Sequence, residues 1–510
     1  MQIEERDIRI DKLKTIRDGG VVPYKDRYEK THSLLGAKGL PLDTKGVRIA
    51  GRILTVRSFG RLIFATLKDF SGKMQIALQE KAVGKDNFSF FKKNMDIGDF
   101  IGAEGSIFKT KTGEITLNVS NYDLLSKTLR PLPEKWHGLT ERELLYRQRY
   151  LDLVMNDGTL ERFLKRTRII KSIRNFLDSS GFVEVETPVL QTKPSGAIAT
   201  PFVTHHNALD LDLYLRIAPE TYLKRCMAGG FEKVYEFARS FRNEGLDPSH
   251  LQDFTLLEYY AAYWNYEDNM RFTEDLVKHV LVEVDGSLEL VFGDKHINFD
   301  HEWRRVPMST LIKEATGIDI GKFSSARELK KAIENRDIEI HGIETMGFGT
   351  LTDNLFKKVS RPTIEGPLFV IHHPIELSPL ARRNDNNPAV TDRFQLVVNG
   401  WEIVNAYSEL IDPIDQRERL KEQAELHSSG DSEAMVMDED FLTAMEHGMP
   451  PISGWGMGVD RFVCLLTNQE NLRDVILFPL IKPLIKPVSG PVEDSEQDKD
   501  DNLKTTQGAV

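Results

Sequence analysis

The chain has 510 residues, of which 40% are hydrophobic and 28% are charged, and its formal net charge is −11. This length predicts about two to four domains, and the negative charge argues against a protein that coats nucleic acid through bulk charge. Because it has no run of about 18 apolar residues and only two cysteines without a Cys-x-x-Cys pair, we expect a cytoplasmic protein that does not span a membrane.

The first 126 residues are predicted to form an N-terminal helical segment (1–42) and a β-barrel (43–126). In the first segment, Ile10, Leu13 and Ile16 share a helical face, which Gly19-Gly20 ends. Five short runs rich in β-branched and aromatic residues follow, separated by turn signals: VRIAGRILTV, LIFATLKD, MQIAL, DFIGAEGSIFKT and EITLNV. Five strands in about 80 residues favour a small closed barrel such as an OB-fold.

Two outward-facing side chains of this barrel are candidates for contact with a nucleic-acid base. In MQIAL, Met74, Ile76 and Leu78 alternate as a buried face, which turns Gln75 outward. The same alternation in LIFATL turns Phe64 outward. An exposed aromatic ring beside an amide suits base stacking and edge reading, although either residue alone is more often ordinary surface.

After a linker (127–150), residues 151–485 are predicted to form an α+β domain. A helical face that includes Phe163, Ile170 and Ile173 precedes FVEVETPVL, which predicts a strand ended by Pro188. Later strand-like runs are rarely separated by crossover helices, which favours one large antiparallel sheet: KVYEFARSF, DFTLLEYYAAY, PLFVIHHP, RFQLVV and WEIVNAYSEL. We expect a helical insertion at about 300–360 and a disordered acidic tail at 486–510.

The segment FARSFRNEGLDPSHLQDFTLLEYY concentrates charged and aromatic side chains in a predicted hairpin. Arg242 and Glu244 share strand parity, and Phe254 and Glu258 lie on the returning strand, with His250 in between. An isolated Arg-x-Glu pair is usually a surface ion pair of little energetic value. Five such side chains within 17 residues favour a functional site instead.

The stretch GWGMGVDR, residues 454–461, holds three glycines at alternate positions before an Asp-Arg pair. It matches neither the Gly-x-Gly-x-x-Gly dinucleotide turn nor the P-loop. The spacing therefore identifies neither of these nucleotide-binding loops.

These segments resemble the three sequence motifs of the class II aminoacyl-tRNA synthetases. The charged hairpin is similar to motif 2, GWGMGVDR to motif 3, and the helix that leads into FVEVETP to motif 1. The barrel precedes them as in the aspartyl, asparaginyl and lysyl subgroup, and RIAPETYLKR, FRNEG and NAYSEL most resemble the lysyl-tRNA synthetases. Over about residues 1–485, the resemblance implies an OB-fold anticodon-binding domain followed by an antiparallel β-sheet catalytic domain flanked by helices. It also implies that GWGMGVDR is one wall of an ATP site whose other wall is FRNEG. The glycines would let the backbone approach the nucleotide closely, and Arg461 would supply the charge that a P-loop lysine gives.

The resemblance implies that a homodimer activates L-lysine with ATP and transfers it to tRNA-Lys. Activation brings a carboxylate against the α-phosphorus, so catalysis depends on positioning and charge neutralisation. Arg242 would bridge the substrate carboxylate and the α-phosphate, and Arg461 would hold the γ-phosphate and lie against adenine. Glu244 would accept from the adenine amino group, His250 would meet the outer phosphates, and Phe254 would stack on adenine.

A carboxylate-lined lysine pocket is also implied. Glu220 and Gly196 would meet the α-amino end of lysine, and Asn405 its carboxylate. Three side chains would hold the ε-ammonium: Glu258, Tyr260 and Glu409. Buried carboxylates without a cation are costly, so we expect this pocket to reject neutral side chains and to repel aspartate.

Magnesium is the implied cofactor, and its expected site departs from the family pattern. Relatives place two glutamates seven positions apart, where this chain has Gln395 and Glu402. Glu402 is a hard oxygen ligand that would also serve ATP binding, whereas Gln395 supplies only a neutral carbonyl, so its role as a ligand stays open. In the barrel, Phe64 and Gln75 match positions that stack on and read the central anticodon uridine.

Three alternatives stay open. A relative specific for aspartate or asparagine conflicts with the glutamate-rich pocket. A protein-lysine ligase would lack the anticodon barrel. A non-catalytic tRNA-binding paralogue would be expected to lose Arg242 or Arg461, and both are present.

Overall fold

The computed structural model of the chain describes residues 2–133, 142–197, 199–245, 247–428 and 435–482. The expected acidic tail lies outside these ranges, as do residues 134–141 of the expected linker. The chain folds as two compact units, Met1–Leu145 with Tyr150–Met155, and Tyr146–Arg149 with Asn156–Val510. In the described ranges, no helix has the length and apolar composition needed to cross a membrane.

The first unit is built on a closed five-stranded barrel of order β1-β2-β3-β5-β4. Its strands are β1 (Val47–Phe59), β2 (Leu62–Lys68), β3 (Lys73–Gln79), β4 (Phe100–Lys109) and β5 (Ile115–Ser126). The helices of this part of the chain are α1 (Gln2–Asp18), α2 (Leu34–Lys38), α3 (Glu80–Val83), α4 (Lys85–Asn94), α5 (Arg142–Arg147) and α6 (Arg149–Met155). The barrel predicted from the sequence is confirmed, with α3 and α4 inserted between β3 and β4.

Strict alternation of inward-facing and outward-facing side chains along β2 and β3 forms the barrel core. Met74, Ile76 and Leu78 are fully buried, as are Ile63 and Leu67 on the neighbouring strand. The side chains between them point away from the core, because successive residues of a strand face opposite sides.

The second unit contains an eight-stranded sheet that is antiparallel apart from the outer pairs β14-β15 and β10-β6. The strand order is β14-β15-β16-β17-β18-β11-β10-β6. Its strands are β6 (Val183–Glu184), β10 (Lys233–Phe241), β11 (Asp253–Ala262), β14 (Arg304–Pro307), β15 (Leu368–Ile371), β16 (Arg393–Val398), β17 (Trp401–Ser408) and β18 (Ile452–Gly458). Two small sheets comprise β7 (Leu190–Gln191), β8 (Phe202–His206), β9 (Leu211–Leu215), β12 (Glu289–Phe292) and β13 (Lys295–Asn298).

Helices flank this sheet and complete its core. They are α7 (Asp157–Ser179), α8 (Glu220–Ala228), α9 (Tyr266–Asp285), α10 (Met308–Thr316), α11 (Ala326–Glu334), α12 (Phe348–Val359), α13 (Pro413–Ser428), α14 (Glu439–Glu446) and α15 (Val459–Leu466). The main core joins one face of the sheet to α7, α9 and α15. Helices α10 to α12 share a second core with β14 and β15, and the predicted α+β class is confirmed.

Two local expectations in this unit are wrong. FVEVETPVL forms only the two-residue strand β6 before the chain turns at Pro188, which has no N–H to continue a ladder. On α7, Phe163 and Ile173 are buried as expected, whereas Ile170 is only half-buried and Ile169 is buried instead. Ile169, Ile173 and Leu177 follow the i, i+4, i+8 spacing of one helical face.

Candidate active site

The strands at the centre of the large sheet form the floor of a cavity of about 500 Å³. Strands β11, β16, β17 and β18 contribute lining residues, together with the start of α15 and the loops after β9 and β10. Of the sites proposed from sequence for ATP, lysine and metal, eleven line it: Gly196, Glu220, Arg242, Glu244, His250, Phe254, Glu258, Gln395, Glu402, Asn405 and Arg461. Tyr260 and Glu409 are buried and do not line it.

Arg242 presents an enclosed guanidinium that lacks a counter-ion. Its backbone N–H donates to the Gln252 carbonyl at 2.9 Å, and its guanidinium carbon lies 5.1 Å from the centre of the Phe254 ring. Its Nε is buried without a hydrogen-bond acceptor, and burial lowers the pKa of Arg242. No ion pair to this side chain is formed by the residues that the structure describes, so its donors are free for an anion.

Arg461 faces the same cavity from the first turn of α15, and its Nη1 donates to the Glu402 carbonyl at 3.3 Å. Its neighbour Asp460 pairs with Arg166 at 2.6 Å and accepts from the Thr255 backbone N–H at 2.9 Å. Asp460 therefore ties the junction of β18 and α15 to β11 and α7, which fixes where Arg461 projects.

The loop after β10 differs from its expected form. Arg242 and Glu244 were expected on the strand, but β10 ends at Phe241 and both residues lie in the loop that follows. An isolated bridge between Asp247 and His250 closes the turn, where the two side chains are 2.8 Å apart. The His250 side chain is 51% exposed. This loop forms the open mouth of the cavity rather than its floor.

Three buried glutamates converge at the opposite end of the cavity. Glu220 begins α8, Glu258 lies on β11, and Glu409 follows β17. Burial, and then the charge of Glu220, raises the pKa of Glu258 well above its ordinary value, and burial raises the pKa of Glu409 to about 8. Two tyrosines serve the cluster: Tyr407 donates to Glu220 Oε1 at 2.6 Å and Tyr260 to Glu258 Oε2 at 3.4 Å.

Two glycines give this cluster its room. Gly196 has a φ of +88°, and a Cβ there would lie 3.0 Å from the Cβ of Glu220. At Gly454 a Cβ would overlap the Glu409 carboxylate and the Tyr260 ring. The first glycine of GWGMGVDR thus makes space for the pocket carboxylates, and the expectation that it serves a close nucleotide approach is wrong at that position.

Asn405 is oriented by an arginine of the neighbouring strand. Arg393 Nε lies 2.8 Å from Asn405 Oδ1, and its Nη1 donates to the Leu377 carbonyl and to Ser378 Oγ. Because a guanidinium can only donate, the bonded atom of Asn405 must be its oxygen. The amide nitrogen of Asn405 is left to donate to another acceptor.

Glu402 and Gln395 lie side by side on β17 and β16. Gln395 Nε2 donates to Glu402 Oε2 at 3.0 Å, so the amide turns its nitrogen and not its carbonyl toward the carboxylate. Within the described ranges, no three His, Cys, Asp or Glu side chains converge as a metal centre. The set still suits a magnesium ion that arrives with phosphates and keeps several waters, since such an ion needs only one or two carboxylates.

The barrel of the first unit carries its two candidate residues on adjacent strands. Gln75 Nε2 donates to Thr116 Oγ1 at 3.0 Å, which leaves its carbonyl oxygen as an acceptor. Phe64 packs edge-on against Phe59, with ring centres 6.3 Å apart. The register Thr66 to Gln75 makes Phe64 and Gln75 diagonal neighbours on the outer face.

Sequence reasoning missed three residues of the site. Lys224 bridges Glu220 and Glu409, Tyr407 hydrogen-bonds Glu220, and Arg393 orients Asn405. The signals were present in part: Lys224 is four residues after Glu220 on a helix, a spacing that places both on one face. Tyr407 likewise shares strand parity with Asn405.

Comparison with known proteins gives a consistent result. A family model described as tRNA synthetases class II (D, K and N) matches residues 141–482, and one described as an OB-fold nucleic acid binding domain matches residues 47–125. The chain is 49% identical over 487 residues to a lysine–tRNA ligase of Carboxydothermus hydrogenoformans, covering 93% of this chain and 97% of the relative. It is 48% identical to that of Pelotomaculum thermopropionicum, covering 93% and 94%, and 43% identical to that of Bacillus subtilis, covering 94% and 97%.

Proposed function

Because the chain belongs to the class II tRNA synthetases of the D, K and N group, we propose that it is a lysine–tRNA ligase that activates L-lysine with ATP and transfers it to tRNA-Lys. The observation that carries this proposal is one cavity with two chemically opposite ends. One end presents Arg242, with which no described residue forms an ion pair, and the other presents Glu220 and Glu258, with Glu409 buried beside them. An anionic nucleotide and an amino acid with two ammonium groups would each find a complementary end.

At the ATP end, Arg242 and Arg461 are the catalytic cations. Arg242 bridges the lysine carboxylate and the α-phosphate, where its free donors can serve both anions as the two approach. Arg461 holds the γ-phosphate and covers one face of adenine, while Phe254 covers the other. Glu244 accepts from the adenine amino group, and His250 meets the outer phosphates at the cavity mouth.

At the amino-acid end, Glu220 and Gly196 receive the α-ammonium group. The ε-ammonium group goes to Glu258, Tyr260 and Glu409. Asn405 donates to the lysine carboxylate, a role supported by the orientation that Arg393 imposes on its amide. A neutral side chain would leave the buried glutamates without a counter-ion, so the pocket discriminates by charge.

Glu402 would hold a magnesium ion together with the ATP phosphates, and that ion would supply charge neutralisation at the phosphates. The family uses ATP, whose phosphates bind magnesium, and a carboxylate oxygen suits this ion. Gln395 contributes through its hydrogen bond to Glu402. It fixes the Glu402 carboxylate and is not itself assigned as a ligand.

The two units have separate tasks in this proposal. Residues 43–126 form the anticodon-binding domain, where Phe64 stacks on the central anticodon base and Gln75 reads its edge. Residues 151–485 form the catalytic domain, preceded by the helical segment 1–42 and the linker 127–150. We also propose that the enzyme is a homodimer through the motif 1 helix α7 and that it works in the cytoplasm.

Amino-acid-dependent exchange of pyrophosphate into ATP, measured with each of the twenty amino acids, tests the proposal. We expect exchange with lysine and a loss of at least 100-fold in the Arg242→Ala variant. Stimulation by aspartate or asparagine would reverse the specificity. Absence of exchange with every amino acid would favour a non-catalytic tRNA-binding protein.

A further inference from the structure

Lys224 is an internal ammonium group locked inside the carboxylate cluster. Its side chain is 1% exposed, and its Nζ lies 2.6 Å from Glu220 Oε1 and 2.5 Å from Glu409 Oε2. The same nitrogen lies 5.6 Å from the Tyr407 ring centre and 5.7 Å from that of Phe441, which enclose it. It does not line the cavity, so it meets the glutamates from behind.

The charges of the cluster match those of one lysine molecule. Glu220, Glu258 and Glu409 carry three negative charges when ionised, and Lys224 offsets one. The remaining two equal the number of ammonium groups on free lysine. The internal lysine therefore sets the charge of the pocket as well as its shape.

We propose that Lys224 is a positioning residue for the amino-acid substrate: a built-in counter-ion that favours the ionised forms of Glu220 and Glu409 and aims both carboxylates before lysine arrives. The inference rests on the proposed lysine-binding roles of these glutamates. Two carboxylates withdrawn from water repel each other unless a cation lies between them. Lys224 holds one oxygen of each, which leaves the second oxygen of Glu220, a residue that lines the cavity, for an incoming ammonium group.

Loss of this cation should affect lysine binding selectively. In Lys224→Met, the loss of this cation would favour the protonated forms of Glu220 and Glu409 further, and lysine could bind only after the added proton is released. We expect the KM for lysine to rise at least tenfold in lysine-dependent pyrophosphate exchange. The KM for ATP should change less than twofold, because Lys224 contacts no residue at the phosphate end of the cavity.

The experiment compares Lys224→Met and Lys224→Gln with a matched control, Lys278→Met. Lys278 pairs with Glu274 at 2.7 Å on helix α9, and neither residue lines the cavity, so its loss removes an ion pair of similar length elsewhere in the unit. The Gln variant keeps a side chain that can donate while removing the charge, so it reports the charge even if the Met variant folds poorly. Thermal unfolding of each variant separates folding from binding.

A double-mutant comparison completes the test. Because Lys224 acts by balancing Glu409, the Lys224→Met change should raise the lysine KM less than threefold when Glu409→Gln is already present. An unchanged lysine KM in both Lys224 variants, an equal rise in the ATP KM, or the same factor in both backgrounds would overturn the inference. These outcomes assume wild-type exchange with lysine, whose absence would instead overturn the proposed function.

Discussion

Replacing Gln395 by glutamate tests how this chain manages with one acidic residue where its relatives have two. Gln395 is 5% exposed, and its Nε2 donates to Glu402 Oε2 at 3.0 Å. In Gln395→Glu this donor becomes a carboxylate oxygen that faces another carboxylate. The attraction between the two side chains turns into repulsion at almost unchanged geometry.

The size of the effect follows from Coulomb's law. Two unit charges about 4 Å apart repel by roughly 4 kcal/mol at an effective dielectric constant near 20. Without a cation, protonation of one carboxyl group relieves most of this repulsion. If a bound divalent cation offsets about one third of the repulsion between the two carboxylates, or roughly 1.4 kcal/mol, the cation binds about tenfold more tightly.

The assay is a magnesium titration of lysine-dependent pyrophosphate exchange at fixed ATP, with thermal unfolding measured in parallel. The quantity compared is the magnesium concentration, beyond that needed to complex ATP, at which exchange is half-maximal. For Gln395→Glu we expect this concentration to fall about tenfold. Its unfolding temperature should drop without magnesium and recover when the ion is added. Gln395→Met, which removes the donor without adding charge, is the control and should not tighten magnesium binding. An unchanged magnesium dependence in the glutamate variant would refute the reasoning.

Three further outcomes follow from the structure. Gly454→Ala should cost roughly 1–3 kcal/mol of unfolding free energy by overpacking and raise the lysine KM at least tenfold; an unchanged lysine KM would contradict the role of this glycine. Burial holds the pKa of Glu409 near 8, so below this pH lysine binding must displace a proton, and the lysine KM should fall by up to about tenfold per unit as pH rises from about 6.5 to 8; a flat profile would show that lysine binding displaces no proton from Glu409. Phe64→Ala should reduce the charging of tRNA-Lys by about tenfold and flatten the penalty for a changed central anticodon base, since stacking contributes roughly 1–3 kcal/mol per base; equal penalties with both proteins would indicate that Phe64 only packs.

Periodic elements of the fold were predictable because their signals are local. The alternation that buries Met74, Ile76 and Leu78 is written within five consecutive residues, so the barrel strands could be placed from sequence. Five strands of the large sheet were found in the same way: β10, β11, β15, β16 and β17. The strand predicted in FVEVETPVL was too long, since only Val183 and Glu184 pair with β10, about fifty positions later.

The same difference between local and long-range signals separates the site residues that were predicted from those that were not. Eleven of the residues proposed from sequence motifs line one cavity. They could be proposed because charged side chains at strand ends and in loops form recognisable sequence patterns. Contacts that tune the cluster join distant parts of the chain: Tyr407 reaches Glu220 across 187 positions. No window of sequence contains both partners, so the pairing depends on which strands become neighbours in the folded sheet.

Gly454 and Lys224 illustrate what this means for a buried charged pocket. A glycine in GWGMGVDR is consistent with many backbone roles, and a lysine on a helix is most often a solvent-exposed charge. Only the folded sheet brings the Glu409 carboxylate over Gly454 and beside Lys224, where one residue supplies space and the other charge. A carboxylate withdrawn from water needs both, because without space it cannot enter the core and without a cation it does not stay ionised. Residues that touch no substrate can therefore decide whether the pocket accepts lysine.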